Sequence, residues 1–131
     1  MSHFTHMKTR FQNRFYLEKA LNRLNILHKE IKINSDTVKP ELSHINLIIP
    51  QSNGYDIQFA WNGQDYELVA DMSFWEQAYS PESFIDKISK QYAGEVIIGE
   101  SQKIGFQPIK YKQSAHGANK LVLQRWNNNK T

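Results

Sequence analysis

The sequence predicts an α+β domain: an antiparallel sheet, built from an N-terminal strand, a central three-stranded meander and a C-terminal hairpin, with two or three helices packed on it. Three observations carry that prediction. Apolar residues alternate through 45–70 around two Asn-Gly pairs, Asn53-Gly54 and Asn62-Gly63. Leucines and an alanine recur at three- and four-residue spacing between Arg14 and His28. Ser80-Pro81-Glu82 has the composition of a helix start. A length of 131 residues with 40% apolar composition suits one domain with its own core, assigned to 1–126, followed by a polar tail over 127–131.

The elements follow in chain order. Residues 2–10 alternate Phe4, His6, Lys8 and Arg10 against His3, Thr5, Met7 and Thr9, a strand pattern too polar for two dry faces. A helix is predicted from Arg14 to His28, with Asn13 as its cap and Leu17, Ala20, Leu21, Leu24 and Leu27 as its buried stripe. Lys29 to Glu41 is polar and reads as a short extended piece or loop before the meander. Ile45, Leu47 and Ile49 form the first meander strand, Tyr55, Ile57, Phe59 and Trp61 the second, and Tyr66, Leu68 and Ala70 the third. The Asn-Gly pairs supply positive φ at the turns between them. After the Ser80 cap, Phe84, Ile85, Ile88 and Tyr92 mark one helical face. Between Ala93 and Gly105 the local propensity favours a strand: Val96-Ile97-Ile98 is β-prone, and Gly94 and Gly99 each cost a helix about 1 kcal/mol. Phe106–Lys112 and Lys120–Trp126 then form a hairpin.

Composition excludes several kinds of chemistry. With no cysteine there are no disulfides, thiolate metal sites or thiol nucleophiles. No apolar run approaches the roughly 18 residues that cross a bilayer, so no membrane insertion is expected, and no cleaved targeting segment is visible. The net charge of +3 divides unevenly. Residues 1–40 carry 8 basic and 3 acidic side chains, 41–101 carry 2 and 10, and 102–131 carry 6 and none. Two basic ends around an acidic middle favour internal pairing or a dipolar surface over a uniformly cationic one. Lysine outnumbers arginine 12 to 4, with 11 asparagines and 13 isoleucines, a skew that reports AT-rich codons rather than function.

Four blocks carry a family resemblance: Met1-Ser2-His3-Phe4, Asn53-Gly54-Tyr55-Asp56-Ile57 with Phe59, Tyr66-Glu67-Leu68-Val69-Ala70-Asp71, and Leu121-Val122-Leu123-Gln124-Arg125-Trp126. In this order, and over nearly the whole chain, they resemble the hypothetical chloroplast reading frame thirty-five family of algal plastids and cyanobacteria. The resemblance implies a plastid-encoded protein of the stroma. It transfers no catalytic residue and no cofactor, because the family carries no established activity. It also implies a helix between Tyr92 and Gly105, against the local propensity, giving two helices between the meander and the final hairpin.

The candidate sites are few. His3 and His6 form an H-x-x-H pattern, but on a strand positions three apart face opposite ways, and His28, His44 and His116 lie elsewhere. No histidine metal site is expected. Asp56, Glu67 and Asp71 fall on the outward face of the meander with Gln58 and Val69, where carboxylates serve acid/base chemistry or hold a hard cation. The commoner outcome is a solvated face or ion pairing, with Arg125 the first candidate partner. Trp75, in Met72-Ser73-Phe74-Trp75, sits where a loop closes over a groove, although such clusters usually belong to the core. Phosphate-loop and serine-hydrolase motifs are missing.

These features define three expectations. The first is a non-catalytic interaction or assembly module for a plastid protein complex. The second is a divalent-cation enzyme using Asp56, Glu67 and Asp71. The third is RNA binding through Lys8, Arg10, Lys110, Lys112 and Lys120, weakened by the missing ribonucleoprotein motif and the acidic central strands.

Overall fold

The structure, a computed structural model, describes residues 3–34, 43–113 and 119–125, the last two strands by their backbone. Five antiparallel strands form one sheet in the order β1-β5-β4-β3-β2: β1 (Phe4–Met7), β2 (Lys29–Ile33), β3 (His44–Ile49), β4 (Ile57–Trp61) and β5 (Tyr66–Asp71). Helices α1 (Arg14–Arg23) and α2 (Pro81–Lys103) pack on one face of it. The hairpin β6 (Phe106–Gln113) and β7 (Asn119–Arg125) is a separate two-stranded sheet, so it does not extend the main sheet as the sequence suggested. Trp126 and the tail lie outside the described residues, as does His116.

The meander takes the predicted register. Leu47 pairs with Phe59, Ile49 with Ile57, and Phe59 with Leu68, which puts every second side chain on the helix-covered face. Leu47, Ile49, Ile57, Phe59, Tyr66, Leu68 and Ala70 are buried there against Leu17, Ala20, Leu21, Phe84 and Ile88. Tyr55 is a correction: β4 begins two residues later, and Tyr55 is left on the loop. Strand β2 fulfils the extended option over Lys29–Ile33, and residues 35–41 of that polar stretch lie outside the described residues. Its charged, mostly exposed Lys-Glu-Ile-Lys-Ile sequence suits an edge strand that must not recruit another chain.

Helix α1 starts where predicted, with the Asn13 side chain accepting from the Tyr16 N–H. It stops earlier, at Arg23, because Asn25 adopts φ 58 and the Ile26 N–H returns to the Leu21 carbonyl, a left-handed stop. Leu27 therefore leaves the stripe and is 79% exposed, while Leu17, Ala20 and Leu21 are buried and Leu24 half-buried. Tyr16 joins the buried face.

Helix α2 runs 23 residues without a break, capped by Ser80 with Pro81 in its first turn. The segment after Tyr92 is thus helical, as the family resemblance implied, but it continues the same helix instead of forming a second one. Gly99 has a tertiary reason. A Cβ there would overlap the Tyr16 Oη and ring, so an alanine would have to push the tyrosine off its seat on α2. Gly99→Ala is expected to lower stability by about 1–2 kcal/mol, because overpacking outweighs the helix propensity gained. Adding Tyr16→Leu should return part of the loss. Denaturant melts measure both, and an alanine variant more stable than wild type would contradict the packing account.

Candidate functional site

A surface made by two loops stands out on the acidic middle of the chain. The loop at 50–56 joins β3 to β4, and a 3-10 turn (Met72–Phe74) leads from β5 toward α2. Gln51 stitches them together. Its Nε2 donates to the carbonyls of Tyr55 (2.6 Å) and Phe74 (3.0 Å), and its Oε1 accepts from the Glu76 N–H (2.8 Å) and Gln77 Nε2 (3.0 Å). Asn53 Nδ2 also donates to the Phe74 carbonyl (2.9 Å), its Oδ1 accepts from the Tyr55 N–H, and Ser52 donates to Glu76 (2.8 Å). Gly54, at φ 83, provides the turn that this path needs.

The stitching holds two rings face to face in water. Tyr55 and Phe74 stack with centroids 3.7 Å apart and planes 5° from parallel. They remain 44% and 39% exposed. Asp56 and Glu76 are exposed beside them in sequence, so the rings sit within an acidic stretch. Sequence reasoning noted Asn53-Gly54 as a turn but missed the pairing. The available signal was a glutamine and an asparagine bracketing a turn, groups able to satisfy backbone amides across loops.

The three candidate carboxylates are not brought together. The Asp56 carboxylate accepts from the Gln51 N–H (3.0 Å) on its loop. Asp71 is buried and caps the 3-10 turn through the Ser73 N–H (3.0 Å). Glu67, on the sheet face away from the helices, meets His6 Nδ1 at 3.2 Å, and the imidazole holds its carboxyl below the usual carboxylate range. Among the described residues, no group of three histidine or carboxylate side chains is placed to hold a metal ion. Arg125 pairs across from Phe106 in the separate hairpin, so it is on no strand neighbouring β5, whose neighbours are β1 and β4. That corrects the expected carboxylate–arginine pairing along adjacent strands.

Trp75 is half-buried. Its indole N–H donates to the Tyr79 carbonyl (2.7 Å) and its ring meets Phe84 edge-on at 5.2 Å, which fastens the 72–79 segment to α2. The basic residues divide between two places. Lys8 and Arg10 are exposed on the segment after β1. Lys110, Lys112 and Lys120 are on the hairpin, where Lys112 lies opposite Lys120 and Lys110 opposite Val122.

A second polar cluster links α1 to β2. His28 faces two acceptors, the Ile26 carbonyl at Nδ1 (3.2 Å) and Glu18 at Nε2 (3.1 Å), and Arg14 meets Glu18 at 3.3 Å. Burial, and then the neighbouring Glu30, push the Glu18 carboxyl above the usual range, while His28 pulls it back. A raised folded pKa means that this stability is present in acid and is lost as pH rises through the folded value. Glu30→Gln removes one raising cause. It should shrink the loss of thermal stability as pH rises above the ordinary carboxylate range, and an unchanged pH profile of the melting temperature would contradict the coupling.

The fold and surface define the class: a small α+β domain with a helix-backed antiparallel sheet and an exposed, loop-built aromatic surface. No helix among the described residues is long and apolar enough to cross a membrane. Residues 20–122 match the family described as "Protein of unknown function (DUF1257)". The chain is 63% identical over 120 residues to "Uncharacterized protein ycf35" of Trieres chinensis, covering 91% of this chain and 94% of that protein. It is 39% identical to the protein of that name from Guillardia theta and 35% to that from Cyanophora paradoxa, in each case over 126 residues, 96% of this chain and 98% of the relative. The chain belongs to this family of hypothetical chloroplast reading frame 35 proteins, and it is a plastid protein, as the sequence blocks implied. No solved structure matches it.

Proposed function

We propose that this plastid protein is a non-catalytic interaction or assembly module of the stroma, and that the Tyr55–Phe74 surface is where a partner docks. The stacked, exposed ring pair carries this reading. Loop amides fix both rings before any partner arrives, so binding loses little conformational entropy there, and aromatic anchors supply much of the energy of protein interfaces. The adjoining acids favour a partner with a cationic, apolar contact surface and give its association a salt dependence. Affinity capture from stromal extract tests the reading. Wild type should retain a reproducible partner at low salt, and Tyr55→Ala/Phe74→Ala should lose it. Retention unchanged by the double substitution, or no reproducible partner, would count against it.

One observation favours a second reading, single-stranded RNA binding by the basic hairpin: Lys112 and Lys120 stand directly opposite in register. A strand pair that carries lysines at matching register positions suits a polyanionic backbone, which lysines bind through its phosphates. Salt-sensitive retention of a labelled oligonucleotide is the expected result, and no retention at low salt removes the reading.

A further inference from the structure

The segment that follows β1 and one stripe of α2 enclose a groove of about 630 Å³, far from the ring pair in sequence and lined by Lys8, Arg10, Phe11, Ile85, Ser89 and Tyr92, with Thr9 and Ala93. That volume is within the range small-molecule sites occupy. Ile85, Ser89 and Tyr92 recur at helical spacing, so they form one wall. Phe11 belongs to the core and closes the floor through ring contacts with Phe59 (5.8 Å) and Tyr92 (5.0 Å). The groove's inner surface is therefore apolar.

Its polar side chains include two cations and no acid. Lys8 and Arg10 are exposed and have no carboxylate within salt-bridge distance among the described residues, although the Lys8 charge also acts on Glu67. The Tyr92 hydroxyl accepts the N–H groups of Gln12 (3.2 Å) and Asn13 (3.1 Å), which occupies its lone pairs and leaves its own proton to donate. The Ser89 hydroxyl has no hydrogen-bond partner among the described residues. Thr9 is already engaged, donating to the Tyr66 carbonyl and accepting from the Phe11 N–H (3.1 Å). Two cations and the Ser89 hydroxyl thus border an apolar floor, with no carboxylate lining the groove.

We infer that this groove binds a small amphipathic anion, a carboxylate carried on an apolar chain or ring, with the carboxylate at Lys8 and Arg10 and the apolar part against the partly exposed Ile85, Tyr92 and Ala93. A carboxylate head group answers the two cations of the rim, and charge-assisted hydrogen bonds are the stronger kind. The apolar part covers surface that water otherwise wets. This site is independent of the ring-pair surface, and the failure of either leaves the other standing.

Titration of the isotope-labelled full chain, followed by amide NMR, tests it with decanoate kept below its micelle threshold, decanol and acetate as probes. Decanoate should bind saturably, moving the amides of residues 8–11 and 85–93. Decanol should bind at least tenfold more weakly, and acetate should leave those amides in place. Lys8→Gln/Arg10→Gln changes exposed side chains only, so its spectrum should stay folded while decanoate affinity falls about tenfold or more. Equal binding of decanol, equal binding of acetate, shifts outside the groove, no saturable shift, or full affinity in the double variant would each overturn the assignment.

Discussion

Phe11→Ala is expected to destabilise the protein by about 3–5 kcal/mol, enough to unfold a large fraction of a marginally stable domain. The ring is 1% exposed and lies on a segment without regular structure, which makes the expectation sharper than for a strand or helix residue. It meets Phe59 on β4 edge-on at 5.8 Å and Tyr92 on α2 at 5.0 Å, and its carbonyl accepts the Tyr66 N–H at 2.9 Å. One residue therefore ties the crossing chain to the sheet and to the long helix. Removing the ring leaves a cavity bounded by both, and neither can collapse into it without disturbing the other. Denaturant unfolding gives the number, and a loss under about 1 kcal/mol would mean that the segment does not pin the two layers.

The second large effect concerns a buried charge. Glu95 on α2 is 2% exposed, and its carboxylate meets the Arg23 guanidinium at 3.3 Å and accepts from Gln91 Nε2 at 2.9 Å. Arg23→Met leaves that carboxylate with the amide alone, at an expected cost of about 2–3 kcal/mol, below the full cost of breaking a buried pair because Arg23 is itself 62% exposed. Arg23→Met/Glu95→Met removes both charges and should recover most of the loss, since a packed apolar pair often replaces a buried ion pair without penalty. Additive losses in the double variant would show that the two side chains do not depend on each other. Arg23 is the last residue of α1, so this pair joins the helices near the end of α1, while Tyr16 on Gly99 joins them further along α2.

Much of the fold is legible in the sequence because its signals are local. Alternation through 45–70 defines the meander, and Asn13 and Ser80 cap the helices they were expected to cap. Three features were not legible, one of them because it depends on a distant residue. The leucine spacing runs through Leu27, yet a single left-handed Asn25 ends α1 before it. Gly94, Gly99 and the isoleucine pair speak against a helix locally, but Gly99 answers to Tyr16, 83 positions away in the chain. Strand β2 was legible only as an extended piece or loop, because an edge strand of alternating charge and isoleucine shows no buried face.

The candidate sites were less legible for the same reason. Asp56, Glu67 and Asp71 share a face in an ideal meander, but Asp56 falls in the loop before β4, and Asp71 turns to cap the chain's exit from β5. The ring pair depends on Gln51 reaching across 23 residues to Phe74, a contact without a local pattern. Composition did indicate an acidic middle, and the structure adds two exposed rings to it.

The central claim is that the Tyr55–Phe74 surface contacts a partner in the plastid, and a photo-crosslinking side chain at position 55 tests it most directly, with position 31 on the exposed edge strand as control. Illumination of stroma should give one discrete adduct from position 55, suppressed by high salt, and none from position 31. No adduct from position 55, or the same ladder from both positions, would contradict the account.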